Sequence, residues 1–322
     1  MLQRAVSVTT NGVQLRAVVQ GQGPLVVMVH GFPEGWYSWR HQIGPIAEAG
    51  FTACAIDVRG YGGSSQPPAV ADYSLQQITT DVAGVIEQLS PDGTGVLIGH
   101  DWGAPIVWNT ALTRPDRVRA VAGLSVPWTG GPTGNFLDAV KAAFTDQGKF
   151  FYQVYFQDEG VAEAELQADV RATLRKFCYA LSGDAPKGTW PNDKPHGARL
   201  LDRLPDPQPF PAWWTPADED HFVAEFSASG FRGPLNRYRN HAIDFAWQQG
   251  FKHRRIEQPS LFIGGSRDLA LRMLPGADPV AAMAPHLPGL RGAHVLNGIG
   301  HWTQQEAPDV VTALLLEWLA EL

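Results

Sequence analysis

Hydrophobic positions in the first part of the chain follow two different patterns. Between residues 6 and 19 apolar side chains alternate with polar ones, and Thr10-Asn11-Gly12 interrupts the alternation. Alternation on both sides of an Asn-Gly pair is typical of an antiparallel hairpin. From Leu25 to Val29 the apolar residues are continuous, as in parallel strands that are covered on both faces. The sequence therefore predicts a hairpin that leads into a parallel sheet.

Short apolar runs recur after this point, and amphipathic stretches with helical spacing separate most of them. Further strands are predicted at 52–56, 95–99, 118–124, 260–263 and 294–296. Helices are predicted at 75–89, 105–112 and 309–322. Strands that alternate with helices indicate an α/β fold, here with a mostly parallel, eight-stranded sheet flanked by helices.

This alternation of strands and helices stops between about residue 128 and about residue 258. Helical patterns such as 161–166 and 221–226 fill the gap, together with a proline-rich passage between residues 205 and 211. Such a long interruption indicates an inserted, mainly helical cap with an extended loop inside it. We expect the first part of the core at 1–134, the cap at 135–248 and the second part of the core at 249–322.

Composition and charge narrow the class of protein. The 322 residues are 44% hydrophobic and 18% charged, which is typical of a globular chain. Acidic side chains outnumber basic ones by 32 to 25, which argues against nucleic acid as a partner. Two cysteines, no signal-peptide pattern and no apolar run of membrane-spanning length favour a cytoplasmic protein with no membrane partner. No histidine spacing suggests a metal site, so we expect no metal. The mechanism expected below needs no organic cofactor, and we expect none.

A candidate nucleophile follows the strand predicted at 95–99. The segment Gly99-His100-Asp101-Trp102-Gly103 has the form of the G-x-S-x-G nucleophile elbow, with aspartate in place of serine. In open α/β sheets, ligands bind beyond the carboxyl ends of the strands, where Asp101 would lie. Taken alone, Asp101 could equally be a simple helix N-cap. No G-x-S-x-G occurs in the chain, which disfavours an ordinary serine esterase.

Candidate partners for Asp101 follow two later strands. Asp268 comes just after the strand predicted at 260–263, and His301 lies in a glycine-flanked loop after 294–296. Nucleophile, acid and base would then occur in the chain order of α/β hydrolases. Each residue alone could be an ordinary loop residue, but the order of all three makes coincidence a poor explanation. The backbone N–H groups of Phe32 and Trp102 are the expected oxyanion donors.

An aspartate nucleophile limits the chemistry. Attack of a carboxylate on a saturated carbon gives an ester, which activated water can cleave. Epoxides and alkyl halides are the two electrophiles that fit. An epoxide oxygen leaves as a basic alkoxide and needs an O–H donor, and tyrosine, with a pKa of about 10, can provide one. The cap contains Tyr152, Tyr155 and Tyr238, although an aromatic-rich segment could also serve packing alone.

Several segments together carry a family resemblance that spans nearly the whole chain. They are 30–40 (HGFPEGWYSWR), 59–65 (RGYGGSS), 99–103 (GHDWG), 151–157 (FYQVYFQ), 230–236 (GFRGPLN) with Tyr238, and 300–304 (GHWTQ). The chain resembles the α/β-hydrolase-fold epoxide hydrolases, namely the hydrolase domain of the soluble type and its bacterial relatives. Haloalkane dehalogenases share single motifs, whereas the two cap tyrosine motifs are specific to the epoxide hydrolases.

The resemblance implies a role for each candidate. Asp101 would be the nucleophile, His301 the base and Asp268 its orienting acid, while Tyr152 and Tyr238 would donate to the epoxide oxygen. Tyr152 is preferred over its neighbour because the family's donor directly precedes the glutamine of this motif. The expected substrate-binding residues are Trp102, Tyr155, Gln153 and Pro33.

The resemblance also implies a cis peptide before Pro33. Arg237 departs from the family pattern, in which an aromatic residue commonly precedes Tyr238, and a more polar pocket wall is expected there.

The expected activity is hydrolysis of an apolar, small-molecule epoxide to a 1,2-diol through an ester on Asp101. A haloalkane or haloacid dehalogenase with the same three residues is the main alternative. A non-catalytic ligand-binding protein on this fold is a third. An exposed apolar face on the cap would allow a homodimer.

Overall fold

An eight-stranded sheet forms the centre of the protein in this computed structural model, which describes residues 2–272 and 278–322. The strands, β1 to β8, are Arg4–Thr10, Val13–Gly21, Leu25–Val29, Thr52–Ile56, Gly95–His100, Val118–Leu124, Ser260–Gly265 and Leu290–Leu296. Their order across the sheet is β1-β2-β4-β3-β5-β6-β7-β8. The first two strands pair antiparallel, β2 also runs antiparallel to β4, and all later pairs are parallel. The predicted fold class and strand count are confirmed.

The turn of the first hairpin has the geometry that its sequence predicts. Asn11 and Gly12 both have positive φ angles, 47° and 75°. Two consecutive residues with positive φ make the turn whose twist matches that of the flanking strands. The register follows directly, since Thr10 pairs with Val13.

Twelve α-helices are present in the described residues. In chain order, α1 to α12 are Arg40–Glu48, Leu75–Leu89, Gly103–Thr113, Phe136–Ala143, Tyr152–Tyr155, Val161–Ala168, Val170–Leu181, Pro216–Ser229, Arg232–Tyr238, His241–Gln248, Thr303–Glu306 and Pro308–Leu319. Short 3₁₀ helices occur at Trp36–Trp39, Val70–Tyr73, Thr145–Gln147, Ala270–Arg272 and Ala281–Met283. None of the helices in the described ranges combines the length and the hydrophobicity of a membrane-spanning segment.

The two faces of the sheet bury different sets of side chains. Successive side chains in a strand point to opposite faces of the sheet, so alternate residues of β3 pack on different faces. Val26 and Met28 belong to a cluster that includes Ile43 of α1 and Leu315 of α12. Val27 belongs to a second cluster with residues of α2 and α3. Helices thus cover both faces, which explains the uninterrupted apolar character of the central strands.

The seven helices α4 to α10 lie between β6 and β7 in the chain, and we refer to this segment as the cap. Their buried residues, among them Phe177 and Phe222, join the same cluster as α2 and α3. Polar contacts add to this apolar interface. The Asn240 side chain donates to the Val70 carbonyl oxygen at 2.7 Å, and Asp244 accepts the Leu75 N–H at 2.7 Å. The cap therefore packs directly on the 3₁₀ helix at Val70–Tyr73 and on the first residue of α2.

Candidate active site

Asp101 occupies a sharp turn between β5 and α3. Its φ angle is 51°, which is uncommon for a residue other than glycine. The flanking glycines are required because the backbone is crowded there. A Cβ at Gly99 would lie 2.2 Å from the Gly103 carbonyl oxygen, and a Cβ at Gly103 would lie 2.0 Å from the Val29 carbonyl oxygen. The turn therefore presents the Asp101 carboxylate beyond the end of the sheet, as in a nucleophile elbow.

His301 connects Asp101 to Asp268. Its Nε2 atom lies 3.2 Å from Asp101 Oδ2, and its Nδ1 atom lies 3.0 and 3.1 Å from the two Asp268 carboxylate oxygens. Asp268 and His301 are buried, with 1% and 6% of their surface exposed. The three residues predicted from separate strand ends therefore meet within hydrogen-bonding distance.

Charge within this cluster shifts two pKa values in opposite directions. Burial lowers the pKa of His301, but the charge of Asp268 and hydrogen bonds to both carboxylates outweigh burial and raise it well above its usual value. Burial raises the pKa of Asp101, but the hydrogen bond and charge of His301 reverse the effect and lower it. Asp101 is therefore an ionised carboxylate, as a nucleophile must be, and His301 holds a proton while Asp101 is charged.

A backbone donor faces the Asp101 carboxylate from the other side. The Phe32 N–H donates to Asp101 Oδ1 at 2.8 Å, and Trp102 directly precedes the first turn of α3. A Cβ at Gly31 would lie 2.3 Å from Asp101 Oδ1, so only glycine allows this approach. The peptide bond between Phe32 and Pro33 is cis, as the family resemblance implies. These contacts make the loop after β3 a suitable oxyanion site.

A second buried histidine, which the sequence did not single out, supports His301 from behind. His100 Nε2 lies 2.7 Å from the His301 carbonyl oxygen, and His100 Nδ1 lies 2.7 Å from Glu34 Oε2. Both neighbours are acceptors here, because Glu34 also accepts from the Gly31 N–H and from Gln304. His100 therefore bridges Glu34 and the main chain at His301.

Two cap tyrosines face the same space as Asp101. Tyr152 at the start of α5 and Tyr238 at the end of α9 have ring centroids 6.0 Å apart at an angle of 76°. Burial, then the charge of Asp101, raises the pKa of each phenol. Both hydroxyls therefore keep their protons at neutral pH and can act as hydrogen-bond donors.

The cavity between cap and core has a volume of about 550 Å³. Asp101, His301, Tyr152 and Tyr238 line it together with Trp102, Gln153, Asp268 and Phe32. Most of the remaining lining side chains are aromatic or aliphatic.

Two of the predicted substrate-binding residues are not among the lining residues. Tyr155 points to another part of the cap, where its hydroxyl donates to Glu165 at 2.8 Å. Tyr152 and Tyr155 are three residues apart on one helical turn, and the difference in direction carries Tyr155 out of the cavity. Pro33 also lies outside the lining and shapes the loop that holds Phe32.

Arg237 introduces a buried ion pair beside the cavity. Its guanidinium pairs with Asp244, donates to the Tyr73 carbonyl oxygen, and lies 4.6 Å from the centroid of the Trp102 ring. Arg237 does not itself line the cavity, but Asp244 and His241 do. The polar character expected of this wall therefore comes from the neighbours of Arg237.

The chain matches the model of the α/β hydrolase fold family over residues 24–308. It is 41% identical to epoxide hydrolase A of Mycobacterium tuberculosis, over 98% of this chain and 97% of that protein. Among solved structures, an epoxide hydrolase from an endophytic Streptomyces superposes with a TM-score of 0.92 at 44% identity, covering 99% and 95% of the two chains. Epoxide hydrolase A from Mycobacterium thermoresistibile gives the same TM-score at 41% identity, covering 99% and 98%.

The chain belongs to the α/β hydrolase fold family. Within that family it belongs with the epoxide hydrolases, in agreement with the resemblance of its motifs.

Proposed function

We propose that this protein converts epoxides to 1,2-diols through a covalent ester on Asp101. The observation that carries the proposal is the shared cavity, in which one ionised carboxylate faces two protonated phenols. The carboxylate can attack a ring carbon while a phenol binds the ring oxygen. His301 and Asp268 lie behind the carboxylate, where a water-activating pair is needed.

In the ring-opening step, an oxygen of Asp101 forms a bond to one epoxide carbon and the bond from that carbon to the ring oxygen breaks. The electron pair goes to the ring oxygen, which takes a proton from Tyr152 or Tyr238. Asp101 Oδ1 already accepts the Phe32 N–H, so Oδ2 is the attacking atom and Oδ1 becomes the ester carbonyl oxygen. The product is an alkyl ester and a free hydroxyl group.

In the hydrolytic step, His301 first passes its additional proton to the tyrosinate. The neutral imidazole then removes a proton from water, and the hydroxide adds to the ester carbonyl carbon. The Phe32 and Trp102 N–H groups stabilise the negative charge on Oδ1. The alkyl oxygen then leaves with the proton from His301 and completes the diol. The new carboxyl group of Asp101 then returns one proton to His301, so protons balance over the cycle.

The tyrosine pair favours an epoxide over an alkyl halide as substrate. A halide leaves as a weakly basic anion and needs no proton, whereas an epoxide oxygen leaves as a strongly basic alkoxide. Two buried phenols that keep their protons meet the second requirement. The aromatic lining favours an apolar epoxide, and residues 135–248 act as the cap that supplies both donors.

A single turnover with styrene oxide in ¹⁸O-water tests the proposal. The ester mechanism predicts that the first diol carries unlabelled oxygen from Asp101, while the peptide that contains Asp101 gains the label. The variant Asp101→Ala is the matched control and should give neither diol nor label.

Labelled diol with an unlabelled Asp101 peptide would show direct attack by water and contradict the nucleophile assignment. If styrene oxide gave no product, the same assay with haloalkanes would test the dehalogenase alternative. Halide release that persists in Tyr152→Phe/Tyr238→Phe would then replace the proposal, and no turnover of either class would leave a ligand-binding role.

A further inference from the structure

Three polar side chains of the cap form a continuous chain of hydrogen bonds that ends on Tyr152. His241 Nε2 lies 2.8 Å from Gln153 Oε1, and Gln153 Nε2 donates to the Tyr152 hydroxyl at 2.8 Å. Gln153 follows Tyr152 in α5, while His241 is the first residue of α10. All three residues line the cavity, yet neither His241 nor Gln153 has a part in the steps described above.

The direction of these hydrogen bonds is fixed by the chemistry of the amide. A glutamine side chain accepts at its oxygen and donates only at its nitrogen. His241 must therefore donate its Nε2–H to Gln153 Oε1, which turns the amide nitrogen toward Tyr152. With the amide reversed, Gln153 would accept the phenol proton of Tyr152 and compete with a substrate for it.

The surroundings of His241 keep its ring in place and uncharged. The ring lies 5.5 Å from that of Phe136 and 6.0 Å from that of Trp102, measured between centroids. Burial, and then the charge of Arg237, lowers the pKa of His241 to about 3. At neutral pH the imidazole therefore carries one proton, and the contact with Gln153 Oε1 places that proton on Nε2.

We infer that His241 is a positioning residue for ring opening. By donating to Gln153, it holds the amide so that Gln153 donates to the Tyr152 oxygen and leaves the phenol proton free for the epoxide oxygen. The same amide N–H stabilises negative charge on the Tyr152 oxygen once the proton has moved. The inference rests on the proposed function and assigns a role to two residues outside the acid, base and nucleophile.

The consequence is specific to one step of the reaction. Tyr152 acts during ring opening and takes no part in the attack of water on the ester. Loss of the His241 donor should therefore slow ester formation and leave ester hydrolysis unchanged. The expected loss is roughly 3- to 10-fold, the size of one hydrogen bond between neutral groups.

Stopped-flow and rapid-quench measurements with styrene oxide separate the two steps. His241→Leu should slow ester formation by that factor at an unchanged hydrolysis rate. His241→Gln, which again presents an amide N–H, should restore most of the loss. Gln153→Leu should slow ester formation as well, and adding His241→Leu to it should have no further effect. The exposed cap histidine His196 supplies the control variant His196→Leu, with wild-type rates expected for both steps.

Three results would overturn the inference. They are unchanged ester formation in His241→Leu, equal losses in both steps, and effects of His241→Leu and Gln153→Leu that multiply. In all of these experiments the wild-type enzyme is compared in the same assay. If it forms ester and diol, any of the three results contradicts the inference alone and leaves the proposed function in place. A wild-type enzyme that forms neither would overturn both.

Discussion

The buried ion pair between Arg237 and Asp244 should contribute strongly to stability only while both charges are present. Arg237 is 2% exposed and Asp244 is 5% exposed, so neither charge has water to replace a lost partner. The pair also connects the cap to the core, through the Tyr73 carbonyl oxygen and the Leu75 N–H. The informative perturbations are Arg237→Met and Asp244→Asn, alone and together.

The expected magnitudes follow from burial. Removing one partner leaves an uncompensated buried charge, which costs about 3–5 kcal/mol. Removing both charges avoids that penalty, and Asn in place of Asp244 can still accept the Leu75 N–H. The double variant should therefore lose no more than about 2 kcal/mol, the cost of a partly unsatisfied buried amide. The two effects should be far from additive.

Equilibrium unfolding in urea at pH 7, followed by tryptophan fluorescence, measures these differences. Arg232→Met is a matched control, because Arg232 pairs with Glu159 at the surface, with the two side chains 59% and 51% exposed. A pair of that kind contributes about 0–1 kcal/mol. A loss in Arg237→Met no larger than that in Arg232→Met, or a loss in the double variant equal to the sum of the single losses, would contradict this role of the buried ion pair.

Four further predictions concern catalysis. Tyr238→Phe should slow ester formation by about 10- to 100-fold, the size of a hydrogen bond to a charged group. Ester hydrolysis in this variant should be unchanged in stopped-flow traces, and an equal loss in both steps would contradict the assigned role. His301→Gln should accumulate one equivalent of ester, seen as an added substrate mass on the intact protein; diol release at the wild-type rate would argue against His301 as the base. Tyr155→Phe should keep kcat/KM within about twofold of wild type, because a change outside the cavity perturbs the site little. A loss beyond about tenfold would place that hydroxyl in the reaction. Because the charge of Asp101 helps to raise the pKa of His301, esterification should lower that pKa. The rate of ester hydrolysis should therefore rise with pH, and this rise should occur at lower pH than the loss of the His301 proton in the free enzyme, which NMR can follow. If both changes occurred over the same pH range, this coupling would be refuted.

The strands of the core could be predicted because their signals are local. Continuous apolar runs and strict alternation depend on neighbouring residues, and all eight predicted strands are present. The positions of the individual helices in the cap are harder to predict, although helical patterns are evident in its sequence. Helices α9 and α10 are short, and Asn240 and Asp244 fix their positions through contacts with residues 70–75. No pattern within a short window of sequence carries that information.

The same distinction applies to the site. Asp101, Asp268 and His301 could be predicted as a group because each follows its own strand in a characteristic order. The support from His100 depends on contacts with residues 66 and 201 positions away in the chain, and no spacing rule indicates them. For Tyr155 the sequence signal was misleading. It lies in the same motif as Tyr152 and was expected to bind substrate, but its hydroxyl donates to Glu165.

The carboxylates of Asp101 and Asp268, on either side of the His301 ring, determine which step of the proposed reaction comes first. While Asp101 is ionised, its charge and that of Asp268 keep a proton on His301, so His301 cannot activate water before the substrate has reacted. Ester formation removes the charge of Asp101 and leaves Asp268 alone beside the ring, which favours release of that proton. His301 then becomes a base at the point where a base is needed. The Phe32 N–H already donates to Asp101 Oδ1, so the oxyanion donor is in place before the ester forms. In the proposed mechanism, Asp101 thus also determines when its own ester can be hydrolysed.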